Sequence, residues 1–187
     1  MIRSFTLILL SVLALPVIAN VEYAELAALS ASPEQLNGEF VQEKYIQALD
    51  AAIESSGEFQ YQRNTEISWR TLSPIQNLLI LTPDSITNTQ GEIVLAQLDG
   101  STNPVVSLFS NLFFGVMTAQ WDSLAEHFSV QADIQGSDWR ATLTPTNSAV
   151  ERIVIMVELR GDRYLREIIL HEAGGDRTQI RFFNLQQ

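Results

Sequence analysis

The feature that most limits the folds open to this chain is an alternation of apolar and polar residues in short segments. It is regular in residues 59–63, 67–70, 130–134 and 139–143. A period of two places successive side chains on opposite faces of a strand, so each segment predicts a strand with one covered and one solvated face. Short strands separated by turn residues such as Asp99-Gly100 predict one curved antiparallel sheet or a barrel.

Five further segments are apolar enough to predict strands: residues 38–42, 78–81, 153–157, 165–170 and 179–185. Two of them, 78–81 and 153–157, are continuous apolar runs, which are typical of strands covered on both faces. Residues 45–54 are ambiguous between helix and strand, because Tyr45, Leu49 and Ala52 keep helical spacing directly after the first strand.

Three segments predict helices. Residues 21–30 are rich in alanine and leucine, both good helix formers. Residues 105–114 are apolar at seven of ten positions, and Gly115 is expected to end that helix. Residues 122–128 follow with apolar side chains spaced as on one helical face.

Residues 1–19 have the pattern of a secretory signal peptide. Arg3 gives a short positive start, residues 5–15 are almost wholly apolar, and Val17 and Ala19 offer small side chains before a cut. The apolar run is shorter than the roughly 20 residues that a membrane-spanning helix needs. We therefore expect cleavage after Ala19 and a single mature domain over residues 20–187, located in the periplasm.

Composition excludes several classes of chemistry. The chain has no cysteine, so it has no thiolate nucleophile, disulfide or iron–sulfur ligand. Its net charge of −11 repels phosphate backbones, so no nucleic-acid partner is expected. The only two histidines, His127 and His171, lie in no recognisable catalytic or metal-binding pattern. We expect no enzymatic activity, no cofactor and no metal.

The apolar segment 105–114 allows two interpretations. It is too short to span a membrane and too apolar on all sides for a surface helix. It is either a buried helix that plugs a half-open barrel, or a lid whose apolar face meets a lipid when a cavity is occupied. Both interpretations place it over the concave face of the sheet, and the pattern alone does not separate them.

Arg63 also allows two interpretations. Its parity with Phe59 and Tyr61 points it to the apolar face of its strand. An isolated buried cation is costly, so its five donors are expected to find carbonyls or a carboxylate. It is either a side chain that reaches solvent at the strand end, or a polar latch that holds the lid by hydrogen bonds. The latch predicts that Arg63→Leu changes ligand retention.

An ordered set of short motifs gives the chain a family resemblance. In chain order they are Gly38-Glu39-Phe40-Val41-Gln42, Gly57-Glu58-Phe59-Gln60-Tyr61-Gln62-Arg63, Trp69, Pro74, Trp139-x-x-x-Leu143-x-Pro145 and Asp176-x-Thr178-x-Ile180-x-Phe182. This order resembles the periplasmic outer-membrane lipoprotein carriers of the LolA type over nearly the whole mature chain. Asn64 follows Arg63 where the family usually has proline, which indicates a divergent member.

The resemblance implies a mostly β, α+β fold: an incomplete, strongly curved antiparallel β-barrel with a helical lid. By position, Arg63 resembles the family's lid-holding arginine and Trp69 its cavity-lining aromatic residue. The ligand-binding residues expected on this basis are Phe40, Phe59, Tyr61, Arg63, Trp69, Leu79, Leu81, Leu108, Phe109, Leu112, Phe113, Trp139 and Leu143.

The function that the resemblance implies is a monomeric carrier, or chaperone, for acylated cargo. It would take the acyl chains of a lipoprotein or related lipid from an inner-membrane donor transporter and deliver them to an outer-membrane acceptor. Two alternatives stay open. One is a lipid- or lipoprotein-sensing regulatory module without transport activity, as in periplasmic regulators resembling RseB. The other is a structural β-domain whose cavity is filled by Phe109, Leu112 and Phe113.

Overall fold

The computed structural model describes residues 21–117 and 119–187. The strands in this part of the chain are β1 (Gln35–Ile46), β2 (Ala51–Gln62), β3 (Glu66–Ser73), β4 (Asn77–Leu81), β5 (Ser85–Gln90), β6 (Ile93–Asp99), β7 (Phe128–Gln135), β8 (Asp138–Pro145), β9 (Val154–Gly161), β10 (Leu165–Glu172) and β11 (Arg177–Gln186). The helices are α1 (Val21–Leu29), α2 (Pro104–Met117) and α3 (Ser148–Glu151). The expected signal peptide lies outside the described residues.

All of these strands form one antiparallel sheet in the order β6-β5-β4-β3-β2-β1-β11-β10-β9-β8-β7. Consecutive strands pair from β1 to β6 and from β7 to β11, and the pairing of β1 with β11 joins these two halves. Strands β6 and β7 are the two edges, so the barrel is open. The expected mostly β, open antiparallel architecture is confirmed.

One face of the sheet, called here the inner face, carries the core. Cross-strand register aligns buried side chains in rows, such as Tyr61, Ile67 and Leu81 on β2, β3 and β4. Helix α2 adds Leu108 and Leu112 to the same core cluster. No helix within the described residues is long and apolar enough to cross a membrane.

Helix α1 covers one end of the edge strand β7. Its Tyr23 is buried, and the Tyr23 hydroxyl donates a 2.8 Å hydrogen bond to the main-chain carbonyl of Phe128. Leu26 of the same helix is fully buried in the core cluster. The first helix predicted from sequence is therefore confirmed, and it satisfies a main-chain acceptor at the edge of the sheet.

All of the predicted strands are confirmed, but the predicted burial of one of them is wrong. Residues 153–157 are not covered on both faces, because Ile155 is half exposed on the outer face while Val154 and Val157 are buried. The ambiguous residues 45–54 form the end of β1, a single 3₁₀ turn (Gln47–Leu49) and the start of β2. Strands β5 and β6 were not predicted.

Two helix predictions need correction. Helix α2 does not end at Gly115 but continues to Met117, and the missing side chain at Gly115 makes room for Ser123 and Leu124. Residues 122–128 are not a helix: a 3₁₀ turn (Trp121–Leu124) leads into β7, which begins at Phe128. Trp121, Leu124 and Phe128 are nevertheless buried, whereas Ala125, the fourth residue of the predicted apolar face, is exposed. The apolar spacing thus indicated burial at three of four positions and the wrong conformation.

Candidate functional site

An apolar cavity of about 370 Å³ lies between the inner face of the sheet and helix α2. Its volume falls within the range of about 300–1,000 Å³ that is typical of small-molecule sites. The residues that line it are Gln42, Lys44, Ile67, Trp69, Leu79, Leu81, Phe109, Phe113, Leu170, Glu172, Thr178 and Ile180. Most of the wall is aliphatic or aromatic, with polar groups confined to β1, β10 and β11.

Trp69 forms the aromatic floor of this cavity. It stacks on Phe40 with ring centroids 3.9 Å apart, and the ring of Phe182 meets it edge-on at 5.9 Å. Phe59 is the cross-strand partner of Trp69 on β2, and its ring contacts both Trp69 and Phe182. Because these supporting rings are fully buried, they fix the orientation of the Trp69 indole against the cavity.

Helix α2 forms the opposite wall. Phe109 and Phe113 are four residues apart, so they share one face of the helix, and both are only partly buried. Phe113 meets Trp69 edge-on at 6.2 Å between centroids. The hydroxyl of Ser110 donates a 3.0 Å hydrogen bond to the carbonyl of Thr82, which ties the helix to the loop after β4.

An ion-paired cluster lies at the polar end of the cavity. The Lys44 ammonium lies 2.8 Å from a carboxylate oxygen of Glu172 and 3.8 Å from one of Asp176. The hydroxyl of Thr178 donates to the same Glu172 oxygen at 3.1 Å. Since the Lys44 and Glu172 side chains are 36% and 29% exposed, solvent reaches the cavity here. We call this cluster of four residues the polar mouth.

The structure places the predicted ligand-binding residues in three groups. Five of them line the cavity: Trp69, Leu79, Leu81, Phe109 and Phe113. Another five are buried in the core beside it: Phe40, Phe59, Tyr61, Leu108 and Leu112. Arg63, Trp139 and Leu143 do not line it, although Trp139 and Leu143 belong to the same core cluster.

Arg63 finds the carbonyl and the carboxylate that its burial requires. Its Nε donates to the carbonyl of Pro33 at 3.2 Å, and its guanidinium lies 2.8 Å from the carboxylate of Glu34. Both partners belong to the segment between α1 and β1. In this structure Arg63 therefore anchors that segment rather than α2.

Tyr61 lies beside Arg63 in the buried row at the end of β2. Its hydroxyl is buried beside the Arg63 side chain. Burial raises the pKa of Tyr61 above its ordinary value, and the positive charge of Arg63 opposes that rise. Tyr61 is therefore neutral at physiological pH and contributes to the core as an aromatic side chain.

Trp139 is buried in the core cluster but does not line the cavity. It packs edge-on against Trp121 at 5.3 Å, and its indole N–H donates to the carbonyl of Asp162. It borders a polar pocket of about 280 Å³ with Arg140, Arg160 and Arg166. Burial alone would raise the pKa of Asp162, but hydrogen bonds from Arg166 and the Tyr164 N–H outweigh it and lower that pKa.

Sequence reasoning missed seven of the residues that line the cavity: Gln42, Lys44, Ile67, Leu170, Glu172, Thr178 and Ile180. Gln42 and Lys44 have the parity of Phe40, which would have placed them on the inner face. Leu170, Thr178 and Ile180 enter the cavity through the pairing of β11 with β10 and β1, which is a long-range feature of the sheet.

An open antiparallel sheet with an apolar cavity beneath a short helix defines a binding protein of the open-barrel class. The chain belongs to the family of outer membrane lipoprotein carrier protein LolA, whose model matches residues 31–187. The family predicted from the ordered motifs is thereby confirmed. A comparison with curated protein sequences found no significant match.

Several solved structures have a similar fold at low sequence identity. A LolA superfamily protein from Nitrosomonas europaea is 10% identical, with a TM-score of 0.49 over 90% of this chain and 93% of that chain. The matched chain of the Pseudomonas aeruginosa MucA/MucB complex is 13% identical, with a TM-score of 0.51 over 88% of this chain. This protein covers 55% of that chain. At such identities the similarity concerns the fold alone.

Proposed function

We propose that this protein is a periplasmic carrier that binds the acyl chains of a lipoprotein or related lipid in the cavity under α2. It receives the cargo from an inner-membrane transporter and delivers it, as a monomer, to an outer-membrane acceptor. The observation that carries the proposal is the cavity itself, with an aromatic floor at Trp69 and a solvent-reaching polar mouth. Its role is binding without catalysis.

The shape of the cavity suits an amphiphile. An acyl chain would lie between Trp69 and the α2 residues Phe109 and Phe113, and its polar end would lie near Lys44 and Thr178. Burying a methylene group contributes about 0.8 kcal/mol, so a full chain contributes roughly 10 kcal/mol before ordering costs. Ordering costs offset part of this value, which keeps the loading reversible, as release by a carrier requires.

Release requires that one wall of the cavity can move. Helix α2 contacts the ligand space through partly buried rings, and Ser110 and Ser107 tie it to neighbouring loops by single hydrogen bonds. Each such bond contributes only about 0.5–1.5 kcal/mol net. These polar ties are therefore weak, but Leu108 and Leu112 of the same helix are buried in the core, so we expect release to move the Phe109 and Phe113 rings rather than the whole helix.

The first experiment uses Trp69 as a reporter. A peptide carrying a palmitoyl chain with bromine at mid-chain is added to the mature protein, and tryptophan fluorescence is recorded. Bromine quenches indoles at close range, so we expect saturable quenching that is lost in Trp69→Phe. Trp121→Phe is the matched control, because Trp121 is buried away from the cavity wall and should leave the quenching amplitude intact.

Native mass spectrometry identifies the natural cargo. The mature protein is isolated without detergent and analysed together with its lipid extract. Near-stoichiometric bound lipid or acylated peptide supports the proposal. If the isolated protein is empty and the brominated peptide also fails to quench Trp69, the acyl-binding proposal is wrong.

A lipid-sensing module that binds a second protein is the alternative function. The observation that favours it is the fold match to a chain of a two-protein complex, MucA/MucB, at a TM-score of 0.51. A transfer assay separates the two. A carrier moves labelled acyl-peptide from inner-membrane to outer-membrane vesicles in proportion to its concentration, whereas a sensor binds the peptide and leaves the transfer rate unchanged.

A further inference from the structure

Strand β6 is an exposed apolar edge. Every residue from Ile93 to Asp99 is solvent-exposed, although β6 pairs with β5 along its length. Its large apolar side chains are 66% (Ile93), 57% (Val94), 53% (Leu95) and 40% (Leu98) exposed. An edge strand presents unpaired main-chain N–H and C=O groups, and natural proteins usually protect a long apolar edge.

The opposite edge of the same sheet shows such protection. Strand β7 alternates more buried and exposed residues, and the charged Asp133 is at one of the exposed positions. Helix α1 packs on it, and the Tyr23 hydroxyl donates a hydrogen bond to the carbonyl of Phe128. Within the described residues nothing comparable covers β6. The two edges of one sheet thus differ in cover, charge and side-chain burial.

The inner face of the sheet continues to this edge as an apolar row. Ile67 of β3 pairs with Leu81 of β4, Leu81 with Ile86 of β5, and Ile86 with Leu98 of β6. A further strand beside β6 would extend that row and cover Leu98. Pairing partners of such a surface carry apolar side chains at alternate positions.

Charge distinguishes the possible partners. Residues 93–98 carry no charge, but Glu92 precedes them and Asp99 ends the strand. Hydrogen bonds from the hydroxyl and the N–H of Ser101 lower the pKa of Asp99, so this end stays negative. Antiparallel pairing of two copies, Ile93 against Leu98, would place Glu92 of one copy beside Asp99 of the other. With a net charge of −11 on each copy, such pairing is repulsive.

We propose that β6 is a pairing edge that takes an extended strand of another protein by β-sheet addition. That strand is uncharged in its middle, apolar at alternate positions and basic at its ends. No residue of β6 lines the acyl cavity, so this proposal does not depend on the carrier function.

The test uses the mature protein and a fluorescent peptide with a core of alternating valine and threonine and a lysine at each end. Binding is followed by anisotropy, and main-chain protection by hydrogen exchange. We expect binding with a Kd in the micromolar range and slowed exchange in residues 93–98. A peptide with proline at its centre should not bind, and one ending in glutamates should bind at least tenfold more weakly, because charge complementarity is lost.

Two substitutions at one position distinguish main-chain pairing from non-specific hydrophobic binding. Leu95 lies at a bulge and has no cross-strand partner on β5, so Leu95→Pro removes an N–H without breaking a register pair. We expect Leu95→Pro to weaken peptide binding at least tenfold and Leu95→Ser to weaken it about threefold. An unchanged melting temperature for each variant shows that it folds.

Three results would overturn the proposal. One is equal binding of the proline-containing peptide. Another is unchanged hydrogen exchange in residues 93–98 of the unsubstituted protein at saturating peptide, a measurement that does not depend on whether a variant folds. The third is a dimer at high protein concentration that Leu95→Pro dissolves, because it would assign the edge to a second copy of this chain.

Discussion

The aromatic floor of the cavity depends on a residue that has no side chain. Gly57 pairs with Phe40 on one side and Thr71 on the other, next to a register shift between Ser56 and Gly57. A Cβ atom at Gly57 would collide with the carbonyl of Arg70 and touch the ring of Phe40. The clash with main-chain atoms cannot be relieved by a rotamer change.

We therefore expect Gly57→Ala to lower the free energy of unfolding by about 3 kcal/mol. The matched control is Gly174→Ala, because a Cβ atom there would meet no atom within 4 Å. Its effect should be neutral or slightly stabilising, by up to about 1 kcal/mol. Urea denaturation followed by tryptophan fluorescence measures both, and equal stabilities would show that the sheet relaxes around Gly57.

Deprotonation of Tyr23 is expected to destabilise the folded protein at high pH. Burial, and to a lesser extent the charge of Glu22, raise the pKa of Tyr23 to about 12, against 10.0 for the free side chain. The folded state therefore keeps this proton where the unfolded chain has lost it. The corresponding stability is fully present below pH 10 and is lost as the pH rises towards 12.

Replacing Tyr23 by Phe should remove this contribution. We expect Tyr23→Phe to cost roughly 1–3 kcal/mol at pH 7, because the buried carbonyl of Phe128 loses its donor. Between pH 10 and 12 the parent protein should lose roughly 2 kcal/mol more than the variant. Urea denaturation at a series of pH values measures this difference, and parallel pH profiles would contradict the assignment.

At the level of residues, sequence parity explains most of what could be predicted. It placed Phe59, Tyr61 and Trp69 on the inner face correctly, because strand alternation reports which side of a sheet is covered. It also placed Trp139 on the inner face, but it could not show that Trp139 lies away from the cavity. Distance across a sheet depends on strand order, which alternation does not encode.

Among the secondary-structure elements, α2 has two apolar sides with different roles. Leu112 is almost fully buried in the core, whereas Phe109 lines the cavity and is partly exposed. We expect Leu112→Ala to lower the free energy of unfolding by about 3 kcal/mol, since it leaves a void in a packed core. Phe109→Ala should cost about 1 kcal/mol, because its ring already borders empty space.

Acyl-peptide binding should rank these two variants in the opposite order. Phe109→Ala removes a wall of the cavity and should weaken binding about tenfold, which corresponds to roughly 1.4 kcal/mol. Leu112→Ala, measured well below its melting temperature, should weaken binding less than threefold. Quenching titrations with the brominated peptide supply both values. If both variants weaken binding equally, α2 acts only as a structural plug.

Element prediction failed where the usual link between pattern and burial is absent. Strand β5 is largely polar, and β6 is apolar on both faces yet exposed on both, so neither shows the alternation of a half-buried strand. Residues 122–128 failed for the opposite reason, since their spacing matched a helix while the chain turned into β7. Periodicity reports which residues are buried and only indirectly how the main chain runs.

For the whole molecule, the pairing of β1 with β11 is the decisive feature. It joins the N-terminal half of the sheet, β1–β6, to the C-terminal half, and it brings Lys44 opposite Thr178 at the polar mouth. Each half alone would expose one apolar face. This pairing could be expected only through the family resemblance, because no local pattern specifies a contact between residues more than a hundred positions apart.

The remaining question at this scale is whether the cavity is a binding site or a poorly filled core, and thermal stability distinguishes the two. A ligand that binds only the folded protein stabilises it by about 2.7 kcal/mol when present at 100 times its Kd. For a chain of this length that corresponds to a rise in melting temperature of roughly 5–10 °C. We expect a palmitoylated peptide to produce this rise and the same peptide without the acyl chain to produce none. Phe109→Ala should reduce the rise at equal ligand concentration, because its tenfold weaker binding lowers the ratio of ligand to Kd. If no acylated ligand changes the melting temperature, Phe109 and Phe113 fill the core and do not line a binding site. The chain would then have the family fold without binding acylated cargo.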